Sequence, residues 1–127
     1  VPAIVYVARA DGTISFANAA WERFSGLSVQ TVLDDGWAEV LHPDDAARVG
    51  GAWLAAMASL VPFREEFRIR DHAGEFRWVI SHALPTLHAG GGASAWYGTV
   101  IPIDERRTAE TALATLADAI PQLVWAN

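Results

Sequence analysis

Cysteine is absent from this sequence. That removes disulfides, thiolate nucleophiles and cysteine-ligated metal sites together. Lysine is absent too, so all nine basic residues are arginine against fifteen acidic ones, for a net charge of −6. An acidic chain argues against nucleic acid as a partner, because that affinity comes mostly from neutralising phosphates. No apolar run approaches the roughly 20 residues that span a bilayer, and no secretory signal is visible. The expectation is a cytoplasmic domain without membrane contact. What the chain does have is length for one domain, 127 residues, and 52% apolar residues to fill a core.

The stretch from Ala95 to Ile120 organises the rest. Ala95 to Ile103 is aromatic and β-branched, as a strand requires. From about Asp104 the period changes, and Ala109, Leu113, Leu116 and Ile120 form an a/d stripe suited to pairing with another helix. Strand and helix are almost contiguous, so movement of one is felt by the other. This is an arrangement for transmission rather than catalysis.

Upstream, Ile4–Ala8 and Thr13–Ala17 read as a hairpin with Asp11-Gly12 at its tip. Asn18 is suited to cap a short helix carrying Trp21 and Phe24, which Gly26 ends. Short helical turns follow at Ser28–Leu33 and Trp37–Leu41. His42-Pro43-Asp44-Asp45 opens a longer helix that runs to about Leu60 and buries Val49, Trp53, Ala56, Met57 and Leu60. Within it, Gly50-Gly51 either weakens the helix or permits a close approach. Phe63, Glu65, Phe67 and Ile69 then alternate with charged residues as a half-buried strand. A loop at Asp71–Gly74 leads to a strand from Phe76 to Leu84, closed by Pro85. Segregated helices and hairpin-linked strands give an α+β domain: a five-stranded antiparallel sheet with helices on one face.

Little here points to chemistry. His42, Asp44 and Asp45 lack a second histidine at ligand spacing, and a helix start explains them without a metal. Gly90-Gly91-Gly92 lacks the strand–loop–helix setting of a phosphate loop. Ser25, Ser28 and His42 show no spacing of a nucleophile and its base, so the domain is not read as an enzyme.

The ordered segments resemble a PAS domain of the subgroup common in bacterial sensor histidine kinases, including its C-terminal PAC motif. They are Phe16-Ala17-Asn18, Phe24–Ser28, Gly36-Trp37 through Asp45, Trp53, Phe63 through Arg68, Gly74–Trp78, Leu84-Pro85, Tyr97-Gly98-Thr99 and Asp104–Arg107 with Ala109-Glu110 and Leu113. The resemblance implies sheet order 2-1-5-4-3 and a cavity between sheet and helices. It departs at the strand–helix junction, where the family's usual Asp-Ile-Thr reads Pro102-Ile103-Asp104. Asp104 is the substitute there, as helix N-cap.

Some members of the family hold haem, flavin or a metabolite in that cavity. Covalent flavin or another thiol-linked chromophore is excluded by the lack of cysteine. The helix that often supplies a haem ligand has no histidine between Asp44 and Leu60, which argues against haem; His82 on a strand is the one opening left. Non-covalent flavin or a small organic ligand stays open. The lining residues would be Trp21, Phe24, Trp53, Met57, Phe67, Ile80, His82 and Thr99. The alternative is that these residues simply fill the core.

The expected organisation is a core at 1–103, a connector helix at 104–120, and at 121–127 the start of a second copy. Val1–Ala8 can be laid on Ile120–Asn127, as in a tandem array. The functional expectation is a sensory domain that passes a ligand- or partner-dependent change through Asp104, Ala109, Leu113, Leu116 and Ile120. It would do so within a homodimer whose full-length chain is a sensor histidine kinase. The alternative is a ligand-free module for dimerisation or coupling.

Overall fold

The computed structural model describes residues 3–104, 107, 109–110 and 113–114. The hairpin forms from β1 (Ile4–Arg9) and β2 (Ile14–Ala17). Gly12 turns it at φ 90°, a left-handed conformation that glycine adopts without steric cost. Helix α1 (Ala20–Ser25), a 3₁₀ turn (Val29–Thr31), α2 (Trp37–Val40) and α3 (Pro43–Ser59) come next. Strands β3 (Phe63–Arg70), β4 (Phe76–Leu87) and β5 (Ala93–Pro102) complete the core. The sheet is antiparallel with order β2-β1-β5-β4-β3, so the last strand lies beside the first.

Register divides the sheet into two faces. Ile4, Tyr6, Ala8, Ile14 and Ala17 share the inner face with Phe63, Phe67, Ile69, Val79, Ser81, Ala83, Trp96 and Val100. The buried stripe of α3, Val49, Trp53 and Ala56, packs into the same core. Trp53 meets Phe63 and Trp96 edge-on, with ring centroids 5.1 and 5.3 Å apart. The outer face carries Val5, Val7, Phe16, Trp78, Ile80, His82, Leu84, Tyr97, Thr99 and Ile101.

Several local expectations change. Asn18 does not cap α1, whose N-cap is Ala19 with no side-chain bond. Its amide instead ties the hairpin: Oδ1 accepts from Val5 N–H at 3.0 Å and Nδ2 donates to Ala3 O at 3.2 Å. Pro85 does not close β4, which continues to Leu87. The β3 pairing stops at Ala83, so Pro85 lies in a segment with an open edge, where its missing N–H breaks no β3 bond. Gly50 and Gly51 mark no close approach, since a Cβ at either would meet nothing within 4 Å. The start of α3 is as expected: Pro43 occupies the first turn and His42 Nδ1 accepts from Asp44 N–H at 3.0 Å. The described residues from Asp104 to Ala114 are helical, whereas Leu116, Ile120 and the segment 121–127 lie outside the described residues.

Candidate functional site

A cavity of about 100 Å³ lies between the inner sheet face and the helices. Ile4, Ile14, Ala17 and Val100 form its floor, with Phe63, Phe67 and Ile69 from β3. Trp21, Val32, Trp37, Val40 and Leu41 close it from the helical side, and Val49 and Trp53 reach in from α3. No charged residue is among those lining it. Of the polar lining groups, the indole N–H of Trp21 bonds Ser28 O and Thr31 Oγ1, and that of Trp53 bonds Gly12 O.

Trp37 brings a third indole to the lining, and the remaining polar side chains are the hydroxyls of Tyr6 and Ser81, which bond each other at 2.8 Å. Ser81 is 2% exposed. Burial pushes the Tyr6 hydroxyl up to about 12, against the smaller opposite effect of the Ser81 bond, so Tyr6 keeps its proton. Gly98 makes the pair possible. It stands opposite Tyr6 in the β1–β5 register, and a Cβ there would collide with Cζ, Cε1 and the hydroxyl of the tyrosine.

Of the residues expected at the cavity, Trp21, Trp53 and Phe67 line it. Phe24 and Met57 pack against the core elsewhere; Met57 lies over the Gly12 turn. Ile80, His82 and Thr99 are corrected to the outer face, where register pairs Ile80 with Ile101 and His82 with Thr99. His82 is exposed, and its Nε2 accepts from Arg64 Nε at 3.1 Å. Tyr6 and Ser81 escaped sequence reasoning. The one available signal was a lone serine among the apolar residues of a strand.

The strand–helix junction is built on β4. Trp78 O accepts from Ile103 N–H at 2.9 Å, and Trp78 N–H donates to Asp104 Oδ1 at 3.0 Å. The Asp104 carboxylate thus grips the neighbouring strand β4. One turn on, Arg107 stacks 3.6 Å over the Trp78 ring and pairs with Glu66 Oε1 at 3.0 Å. Arg68 lies 4.9 Å from the centroid of the same ring. Trp78 and Ser81 are only three residues apart, roughly 10 Å along the strand, so β4 links helix junction and cavity wall.

The family model for the PAS fold matches residues 14–100. The chain is a PAS domain. It is 30% identical over 98% of its length to an uncharacterised protein of Sinorhizobium fredii, covering 16% of that protein. It is 25% identical over 96% of its length to the peroxide stress-activated histidine kinase mak1 of Schizosaccharomyces pombe, covering 8% of it. Among solved structures, a sensory box histidine kinase/response regulator from Burkholderia thailandensis superposes with a TM-score of 0.73 at 23% identity. That match covers 94% of this chain and 91% of the other. The chain therefore spans a small part of the curated relatives it matches.

Membership raises the question of a prosthetic group, and the cavity answers it by size. Pockets for drug-sized ligands occupy roughly 300–1,000 Å³. At about 100 Å³ the cavity of this PAS domain fits neither haem nor flavin. The lining residues include no histidine that could ligate iron. Among the described residues no cluster of histidine, aspartate and glutamate is arranged to hold a metal ion, and no helix is long and apolar enough to cross a membrane.

Proposed function

We propose that this PAS domain senses a small molecule in its inner cavity and passes the change through β4 to the C-terminal helix. The observation that carries the reading is the three-residue separation of Ser81, in the cavity wall, from Trp78, which holds Asp104 and Arg107. A ligand that displaces Ser81 displaces the strand. The strand then alters the contacts that fix the helix's first turn. The longer protein is read as a sensor histidine kinase of the cytoplasm, an assignment supported by the similarity to mak1. The parallel homodimer runs along Ala109, Leu113, Leu116 and Ile120, and Leu113 is 66% exposed, as a residue awaiting a partner should be.

Arg107→Ala tests the transmission. Hydrogen exchange should accelerate in the helix beginning at Asp104 while the amides of β1 and β5 keep their protection. Unchanged exchange in the helix would remove the junction from the pathway.

A second reading is favoured by the outer sheet face. Phe16, Leu84, Tyr97 and Ile101 are each 46–60% exposed there. Such an apolar surface suits a coupling module that acts by association with a neighbouring domain or protomer.

A further inference from the structure

We infer that the cavity selects a small hydrocarbon with no hydrogen-bonding group, of about four carbon atoms, and turns away polar molecules of the same shape. The inference rests on the sensory reading and gives its ligand a chemical class.

Three observations carry it. The first is the chemistry of the wall. The surface that the cavity presents is almost entirely apolar, and no charged residue lines it. The rings of Trp21, Trp37, Trp53, Phe63 and Phe67 belong to that lining. Close contact with such walls is rewarded by dispersion, which asks for no polar group on the ligand.

The second is hydrogen-bond saturation. The indole N–H groups of Trp21 and Trp53 are bonded to protein oxygens, and the hydroxyls of Tyr6 and Ser81 bond each other. Among the described residues, the buried side-chain polar atom without a partner is the indole nitrogen of Trp96, and Trp96 does not line the cavity. A ligand carbonyl, hydroxyl or amine would therefore give up its bonds to water and gain none, a loss that a hydrocarbon does not suffer. The same saturation turns away water, which needs two to four polar partners in a buried site. A hydrocarbon thus enters without displacing bonded solvent.

The third is volume. A buried cavity of about 150 Å³ lined by aliphatic and aromatic groups holds benzene, a molecule of six carbons. In proportion, a cavity of about 100 Å³ admits about four.

The test uses isobutene, acetone and acetate, planar molecules that share one branched frame and differ in a methylene, a carbonyl oxygen and a carboxylate. Binding to the whole chain is followed by NMR at the indole N–H signals of Trp21 and Trp53. Isobutene should shift both. Acetone should bind about 10-fold more weakly or worse, the loss expected for a carbonyl buried without a partner, and acetate should not bind. Ala17→Leu should fill the cavity and abolish the isobutene shifts. Val49→Ala should enlarge it towards the size that holds benzene, so that benzene moves the indoles of this variant and not those of wild type. This second variant keeps the volume test decisive if the first does not fold.

The proposal is overturned if acetone binds as tightly as isobutene, if benzene binds wild type and Val49→Ala alike, or if isobutene moves neither indole of wild type. Hydrogen exchange of the C-terminal helix in the same samples keeps the sensory reading separate. Selective isobutene binding with helix exchange unaltered upholds the ligand class and refutes transmission. Helix exchange that responds to Arg107→Ala while no probe binds refutes the ligand class and upholds transmission.

Discussion

The ring of Tyr6 lies in the space that a side chain at position 98 would occupy. Gly98 is therefore required by packing rather than by backbone freedom, for it is not among the glycines with positive φ. Gly98→Ala should force the tyrosine off the sheet, break its bond to Ser81 and cost about 1–3 kcal/mol, as overpacking does. Truncating Tyr6 to alanine should make the second substitution nearly free, so the two changes will be strongly non-additive. Urea unfolding of the two single variants and the double variant measures this. Simple additivity would show that ring and glycine do not touch.

The same substitution should have the opposite sign on α3. A Cβ at Gly51 meets nothing within 4 Å, and the residue is exposed in the middle of a helix. Gly51→Ala removes backbone entropy from the unfolded chain without creating a clash. It should raise stability by about 0.5–1 kcal/mol, read as an increased midpoint at unchanged urea slope.

Asp45 sets an acid limit on the fold. It is buried at the start of α3, and its carboxylate accepts from Arg68 N at 2.9 Å, Nε at 3.0 Å and Nη2 at 2.8 Å. These bonds, led by the guanidinium, hold its pKa at about 2 against an ordinary 3.8. A depressed pKa contributes stability that is complete above the unfolded value and is lost as pH falls through the folded one. Stability should therefore decline between about pH 4 and pH 2. Asp71, lowered chiefly by Arg77, acts in the same direction. Asp45→Asn should be less stable by about 2 kcal/mol at pH 6 and should show a flatter profile over that window. Urea midpoints across pH 2–6 decide it; an equally steep profile in the variant would assign the limit elsewhere.

Strand alternation is readable where one face is charged, which is why β3 was plain in the sequence. Along β4 it is not. Val79, Ile80 and Ser81 are all buried, because β4 is flanked on both sides in the sheet and its outer face carries apolar neighbours. With both faces apolar the period of two disappears, and only register decides which way each residue points. Ile80, His82 and Thr99 were assigned to the wrong face for that reason. Tyr6 was hidden in the same way, inside the uninterrupted apolar run of β1. Trp21, Trp53 and Phe67 were legible because each lies in an element with a polar opposite face. Asn18 was misread because a capping residue and a hairpin tie use the same side-chain chemistry, and only the pairing of β1 with β2 distinguishes them. The Asp104 contact could not be read at all, since Trp78 is distant in sequence and comes close only through the β4–β5 pairing.

The helix beyond Asp104 decides between conduit and core. Arg107 anchors its first turn on Trp78 and Glu66, while Leu113 is 66% exposed and contributes little to the monomer. An apolar residue at that exposure on a heptad stripe is stabilised by a second helix or not at all, because a helix of this length is marginal alone. Leu113→Ser combined with Leu116→Ser should therefore weaken self-association in sedimentation equilibrium. The urea midpoint at low protein concentration should move by no more than the roughly 0.5 kcal/mol typical of surface changes. Arg107→Ala should behave differently, loosening the first turn without altering the stripe itself. If the double leucine variant instead unfolds the monomer, the stripe packs on its own domain, and the route from cavity to effector does not run through this helix.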